Sequence, residues 1–139
     1  MIDFIKLLYT DKRSIEAFIE GSNTFMNISQ NLNIKTGLIG YPKKTTLKSM
    51  SVVISENSAY VRNSIHRLYN VIHSQEEHNH NSFTYSMLCE TIKFLDENLI
   101  DLAIAQVQQL EFGLNITTEI PPEKIIRRNV LMHKFRNYN

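Results

Sequence analysis

The sequence predicts an α+β fold: a mostly antiparallel sheet of about five strands, with one long amphipathic helix and one or two short helices packed on one face. Residues 82–99 carry apolar side chains at helical spacing, whereas residues 106–116 alternate apolar and polar side chains with a period of two. Residues 46–65 form two runs rich in β-branched side chains around the turn sequence Glu-Asn-Ser. At 139 residues the chain fits one domain, residues 1–139, that can bury a core.

The N-terminal segment predicts a strand followed by a short helix. Residues 1–9 are apolar enough for a central strand. Thr10 or Asp11 can cap a helix over residues 12–20, in which apolar side chains recur at i, i+3 and i+4. Gly21 is a residue type that commonly ends a helix.

The next stretch is less regular. Residues 22–33 are polar and rich in asparagine, and we interpret them as a loop that contains at most a short strand. Residues 34–39 fit an edge strand that Gly40 and Pro42 end, because proline cannot donate to the hydrogen-bond ladder of a sheet.

The middle of the chain predicts a hairpin, a connector and the long helix. The hairpin strands are residues 46–55 and 59–65, and the polar residues 71–81 form the connector. Ser82 is expected to cap the long helix. Cys89 lies within this helix and is expected to be a small buried side chain. A single cysteine excludes an intramolecular disulfide and a thiolate metal cluster.

The strand predicted over residues 106–116 is of the greatest functional interest. Its apolar side chains share one face, which is expected to be half-buried: Leu110, Phe112, Leu114 and Ile116. The opposite face carries Glu111 and Asn115, whose polar side chains packing does not require. A solvated sheet face would explain them equally well.

The C-terminal segment begins with the pair Pro121 and Pro122, which ends the preceding strand. A short helix is predicted over residues 123–129 and a final strand over residues 130–135. This last strand has few residues after it to supply a neighbour, so its edge is a candidate for self-association.

Charge is nearly balanced overall, at +1, but is divided along the chain. Six basic residues and a single acid lie between residues 35 and 67, whereas six acids and one lysine lie between residues 76 and 101. The basic side chains on or beside the hairpin are predicted to contact DNA phosphates: Lys43, Lys44, Lys48, Arg62 and Arg67. Neutralisation of the basic strands by the acidic helix is the alternative, and charge alone does not decide between the two.

Single motifs do not indicate catalysis. The chain has no Ser/His/Asp spacing, no glycine-rich phosphate loop and no zinc signature. His78 and His80 have a spacing that can hold a metal on a strand, but their neighbours are typical of a solvated loop. Tyr41, Tyr60 and Tyr69 interleave with the basic residues, which suits stacking on bases, although packing on the sheet is the commoner role.

The order of these features carries more information than any one of them. An apolar strand opens with Met1-Ile2-Asp3 and contains Lys6; then follow the basic hairpin LKSMSVVISENSAYVRNSIHRLYN, the helix FTYSMLCETIKFLDENL and the strand VQQLEFGLNI. This order resembles the N-terminal half of phage and plasmid rolling-circle replication initiators of the gene II/gene X type. In that family the last strand typically reads Arg-Ile-Asp, with a second Asp or Asn four positions after the first. This chain has Gln109 in place of the Arg, Glu111 in place of the Asp, and Asn115 at the later position.

The resemblance implies a DNA-binding domain that acts in phage or plasmid DNA replication, with DNA, including single-stranded DNA, as its partner. It implies that Glu111, with Asn115 nearby, binds Mg²⁺ or Mn²⁺. Full-length members are nicking-joining enzymes whose catalytic tyrosine lies beyond the region that this chain resembles. We therefore expect an N-terminal part of a longer initiator, and no catalytic residue is assigned.

A small α+β protein–protein interaction module with no nucleic-acid role is the alternative function. No apolar run approaches the roughly 20 residues needed to cross a bilayer, and the N-terminus lacks the small-residue cleavage site of a secretory signal. A cytoplasmic protein with no membrane partner is therefore expected.

Overall fold

The computed structural model describes residues 2–99, 101–113, 119–121, 123 and 124. In chain order its elements are β1 (Ile2–Tyr9), α1 (Lys12–Gly21), β2 (Met26–Leu32), β3 (Ile39–Leu47), β4 (Met50–Ile54), β5 (Ala59–Ser64), α2 (Ile65–His73), α3 (Tyr85–Asn98) and β6 (Gln106–Phe112), with a 3₁₀ turn at Leu102–Ile104 before β6. The strands form one antiparallel sheet in the order β2-β3-β4-β5-β1-β6. The predicted α+β class is confirmed, with six strands in place of about five.

The hydrophobic core lies on one face of this sheet. Every second residue of β1, β4 and β5 points into it, as the buried side chains Leu7, Val52 and Val61 illustrate. Each of the three α-helices contributes buried side chains to the same cluster, including Ile15 from α1 and Leu68 from α2. The helices therefore cover this face, and the alternate residues of the strands form the opposite face.

Two of the predicted helices begin close to their expected caps. Asp11 accepts a hydrogen bond from the backbone N–H of Arg13 at 3.1 Å, which confirms it as the cap of α1. The long helix α3 is capped by Thr84, which accepts from the backbone N–H of Met87 at 3.3 Å. The prediction of Ser82 as this cap was therefore wrong by two positions.

The predicted edge strand over residues 34–39 is wrong. Residues 33–38 connect β2 to β3, and β3 runs through Gly40 and Pro42. Proline is tolerated there because β4 pairs with β3 only from Lys43 onward, and the pairing with β2 is irregular between Ser29 and Asn31. Residues 22–33, interpreted mainly as a loop, contain the edge strand β2, whose residues are all exposed.

The strand predicted over residues 46–55 is two strands. A two-residue turn at Lys48 and Ser49 separates β3 from β4, with Leu47 paired to Met50. Lys48 has a φ of +51°, a left-handed conformation that glycine, asparagine and aspartate adopt far more readily than lysine. The residue types at Lys48 and Ser49 therefore did not predict this turn. The second hairpin, β4–β5, is confirmed.

Helix α2 follows β5 without a connecting loop and was not predicted. Ser64 ends the strand and caps the helix, because its hydroxyl oxygen accepts from the backbone N–H of Arg67 at 3.1 Å. The polar connector predicted over residues 71–81 therefore begins only after His73.

Strand β6 confirms the strand predicted from Gln106 onward, whereas the half-buried face expected of it is wrong for the residues described. Leu110 is 38% exposed and Phe112 is 74% exposed, because β6 is the edge strand of the described sheet. Cys89 is exposed on α3 and is not a core residue. Residues 114–118 and 125–139 lie outside the described residues, and with them Asn115, most of the predicted helix 123–129 and the predicted strand 130–135.

No helix among the residues that the structure describes is long and apolar enough to cross a membrane.

Candidate nucleic-acid interface

The face of the sheet opposite the helices carries a group of basic and aromatic side chains. Residues directly opposite each other on paired strands share a face, so the register gives its composition row by row. One row includes Lys44, Val53, Tyr60 and Leu8; the next includes Thr46, Ser51, Arg62, Lys6 and Gln109; the last includes Phe4 and Glu111. These eleven residues are referred to below as the open face.

Tyr60 lies between two cations near the middle of the open face. The Nζ atom of Lys6 is 4.9 Å from the centroid of its ring, and the Cζ atom of Arg62 is 5.6 Å from it. Both distances are within the range in which a cation is attracted to an aromatic face. The ring is partly exposed and does not belong to the hydrophobic core.

The floor of the open face is apolar. Val53 is only 6% exposed although it lies on the side away from the helices, because Lys44 and Tyr60 flank it on the neighbouring strands. Phe4 and Leu8 are partly exposed, and neither packs against the core cluster. The open face therefore has apolar side chains at its floor, with the cations Lys6, Lys44 and Arg62 beside them.

None of the cations of the open face forms an ion pair with a carboxylate among the residues described. Lys44 and Arg62 are exposed, Lys6 is partly exposed, and none of the three takes part in an ion pair within residues 2–99 and 101–113. Lys48 is exposed in the β3–β4 turn and likewise has no ion pair there. Free, unneutralised cations of this kind are what a phosphate backbone requires.

Lys43 lies on the other face of the sheet, although it is adjacent to Lys44 in sequence. Its Nζ atom is 3.1 Å from a carboxylate oxygen of Glu16 and 3.1 Å from one of Glu20, both on α1. The hydroxyl of Tyr41 donates to the same oxygen of Glu16 at 2.7 Å. Lys43 is therefore neutralised within the fold.

The pKa values of this ion-pair cluster follow from the same contacts. Burial raises the pKa of Glu16, but the hydrogen bonds from Tyr41 and Lys43 outweigh it, and the pKa lies below its ordinary value of 4.5. Burial lowers the pKa of Lys43, but its hydrogen bonds to Glu16 and Glu20 outweigh this, and the pKa lies above its ordinary value. Both groups therefore stay charged at neutral pH.

Arg67 also lies away from the open face. It is a residue of α2, and its guanidinium is paired with the carboxylate of Glu77. Of the five predicted DNA-binding residues, the structure brings Lys44 and Arg62 together on one face, with Lys48 in the neighbouring turn. Lys43 and Arg67 are in ion pairs elsewhere.

Lys6 and Phe4 are among the residues of the open face that the sequence analysis did not assign to DNA binding. Both lie on β1, where they alternate with the buried side chains Ile5 and Leu7. That alternation was visible in the sequence, but the crowded apolar composition of β1 obscured it.

Glu111 lies on the open face, directly opposite Phe4. The side-chain amide nitrogen of Gln109, Nε2, donates to its Oε1 atom at 2.7 Å. Its predicted companion Asn115 lies outside the described residues. Among those that are described, no group of three or more His, Cys, Asp or Glu side chains could hold a metal ion.

The histidine pair lies in a loop, as predicted, and the loop is held against α2. Asn70, which is 2% exposed, donates to the backbone oxygen of His78 at 2.7 Å and to Oδ1 of Asn81 at 2.8 Å. The fully buried His66 contacts the same oxygen of Asn81 at 2.6 Å. The loop residues are therefore engaged in packing one segment of the fold against another.

No protein-family model, characterised protein or solved structure matches the chain.

Proposed function

We propose that this protein binds single-stranded DNA across the open face of its sheet. The observation that carries the proposal is the position of Tyr60, a partly exposed ring on the sheet face opposite the described helices, with Lys6 and Arg62 over it. Sheet surfaces that bind single strands combine aromatic side chains, on which bases stack, with basic side chains that follow the backbone.

The geometry of a flat face favours a single strand over a duplex. A base can stack on Tyr60 only if it is not already stacked in a double helix, and no helix among the described residues lies on the open face to enter a major groove. The second ring, Phe4, lies two rows away from Tyr60, roughly 13 Å along the strand direction. Lys6 and Arg62 occupy the row between them, which suits contact with the phosphates that join bases stacked on the two rings.

Replication is the process in which we propose that this binding acts. Its support is the resemblance of the ordered sequence features to rolling-circle replication initiators. A cytoplasmic location is part of the same proposal.

Substitution of Tyr60 tests the proposal. A fluorescence-anisotropy titration with a labelled 12-nucleotide strand at about 50 mM salt, where electrostatic binding is strong, should give saturable binding. The Tyr60→Leu variant should bind about tenfold more weakly, because stacking of a base on an aromatic ring contributes about 1–3 kcal/mol. The affinity of the wild type should also fall as the salt concentration rises. The plot of log K against log salt concentration should have a slope near −2, since each of the three cations Lys6, Lys44 and Arg62 contributes about −0.7 with a single strand.

Tyr85→Leu is the matched control. Tyr85 is 80% exposed and lies on α3 in the helix layer, so the same substitution there should leave the affinity unchanged. The proposal fails if the wild type has no affinity for the strand at about 50 mM salt, or if both variants lose affinity equally.

Self-association through β2 is a second candidate function. Each residue of β2 is exposed, none is charged, and the strand forms one edge of the sheet that the described residues build. Uncharged, exposed edge strands tend to pair with another chain. A concentration-dependent dimer in analytical ultracentrifugation that is lost in Ile28→Lys would support this function, and a monomer at all concentrations would contradict it.

A further inference from the structure

A donor and two acceptors stand in a row at one end of the open face. Gln109 and Glu111 are both exposed and project from the same face of β6. Nε2 of Gln109 donates one proton to Oε1 of Glu111 at 2.7 Å, and its second proton has no acceptor among the residues that the structure describes. The carboxylate has a second oxygen, Oε2, which does not accept this hydrogen bond. The order of groups is therefore donor, acceptor, acceptor.

We propose that Gln109 and Glu111 recognise guanine in the single strand bound on the open face; this inference rests on the proposed function. The Watson–Crick edge of guanine presents an acceptor, O6, followed by two donors, N1–H and the N2 amine. This is the complement of the order donor, acceptor, acceptor. Gln109 would donate to O6, and the two oxygens of Glu111 would accept from N1–H and N2–H.

The other bases match the row less well. Thymine presents acceptor, donor, acceptor, so its O2 atom would face Oε2 of Glu111 with no proton between them. Cytosine presents one donor followed by two acceptors, and adenine presents one donor and one acceptor. Only guanine offers two adjacent donors to a carboxylate. The discrimination between guanine and the other three bases therefore depends on Glu111.

The neighbours of the pair support contact with a base and not with the backbone. The carboxylate of Glu111 repels phosphate, so a strand that crosses this end of the face must turn its bases toward it. Phe4, directly opposite Glu111, offers a ring on which such a base can stack, and Lys6, directly opposite Gln109, offers a charge for the adjoining phosphate.

Anisotropy titrations with four strands test the inference. Each strand is a 12-nucleotide thymidine oligomer in which one central position is dG, dA, dC or dT; a single dG avoids guanine quadruplexes. The dG strand should bind about tenfold more tightly than the dT strand, the discrimination typical of a good bidentate pair. Deoxyinosine, which lacks the N2 amine, should lose part of this preference, and 7-deazaguanine, which changes only the opposite edge, should keep it.

The Glu111→Gln variant tests the assignment to this residue. It replaces one acceptor with a donor, so the preference for dG should disappear, while affinity for the dT strand should stay equal or rise because a negative charge is removed. Glu97→Gln removes the same charge from the exposed side of α3 and should keep the wild-type preference.

The outcomes separate this inference from the proposed function. Equal affinity of the wild type for all four strands would overturn guanine recognition and leave DNA binding intact, whereas no affinity for any strand would overturn both. A dG preference that survives in Glu111→Gln, or that is lost with 7-deazaguanine, would overturn the assignment to this pair.

Discussion

Lys43 and Lys44 are neighbours in sequence and lie on opposite faces of the same sheet. The side chain of Lys43 is 25% exposed and contacts two carboxylates of α1, whereas Lys44 is exposed and has no ion pair among the residues described. One lysine holds a helix on the sheet and the other is free to meet a ligand. A count of basic residues along the chain treats the two alike, and only the side of the sheet distinguishes them.

Two tyrosines repeat this contrast on the adjoining strands. Tyr9 is 1% exposed within the core, and its hydroxyl has no hydrogen-bond partner in the described part of the chain. Burial, with further contributions from Asp101 and Asp96, raises its pKa to about 12. Tyr60 lies on the open face between two cations. On the helix side, therefore, Lys43 is paired within the fold and the Tyr9 hydroxyl is buried, whereas on the open side Lys44 is exposed and Tyr60 is partly exposed.

Substitution of the two lysines by methionine should show the largest difference. Methionine keeps the aliphatic stem and removes the charge. Lys43→Met should lower the free energy of unfolding by about 2 kcal/mol, because hydrogen bonds to charged groups contribute roughly 1.5–3 kcal/mol and two carboxylates lose their partner. Lys44→Met should change it by less than about 0.5 kcal/mol, as surface substitutions usually do. Urea denaturation monitored by circular dichroism measures both.

The same two variants should show the reverse order in DNA binding. Lys44→Met should weaken binding to a single strand and reduce the salt slope by about 0.7, whereas Lys43→Met should leave both unchanged. Equal losses of stability in the two variants, or a loss of DNA affinity only in Lys43→Met, would show that the two faces do not differ as described.

Removal of the Tyr9 hydroxyl should have a smaller, stabilising effect. A buried polar group without a partner costs about 1–3 kcal/mol, so Tyr9→Phe should raise the free energy of unfolding by about 1 kcal/mol at pH 7. Tyr60→Phe should leave it within about 0.5 kcal/mol of the wild type, because that hydroxyl is on the open face.

The pH dependence of the Tyr9 variant has a definite sign. The folded pKa of about 12 lies above the ordinary value of 10.0, so the folded state holds the proton more tightly than the unfolded state. The stability that comes from this tighter proton binding is complete below pH 10 and is lost as the pH rises toward 12. The wild type should therefore lose more stability than Tyr9→Phe over this range. Equal losses would mean that the Tyr9 hydroxyl is not buried as described.

Much of the fold could be predicted because local patterns determine it. The strand at residues 2–9, the cap at Asp11, the β4–β5 hairpin and the alternation that begins at Gln106 all follow from side-chain periodicity and turn residues. The elements that were not predicted lack these signals. The β3–β4 turn has a lysine at a positive φ, and α2 begins at the residue after β5 ends, with no loop residues to mark the change.

The candidate site was less predictable, because it depends on register. Lys44, Arg62 and Lys6 come from three different strands, and only the pairing of β3 with β4, and of β5 with β4 and β1, brings them to one face. Because the turn at Lys48 was not predicted, the assignment of residues to the two faces was harder still. A single strand over residues 46–55 assigned no position to Lys43 or Lys44, so the division of the two lysines between the faces could not be seen.

Acid titration of Glu16 should give the smallest effect and separates the two faces once more. The pKa of Glu16 lies below its ordinary value of 4.5, so its contribution to stability is present above about pH 4.5 and is lost as the pH falls through the folded value. Between pH 6 and pH 3.5 the wild type should therefore lose a few tenths of a kcal/mol more than Glu16→Gln, the size typical of partly exposed ion pairs. Lys43→Met should reduce this acid-dependent loss, because it removes the partner that lowers the pKa of Glu16, whereas Lys44→Met should retain it in full. Urea denaturation of the four proteins at both pH values measures the difference, and an identical loss in the two lysine variants would show that Lys43 does not hold this carboxylate in its charged form.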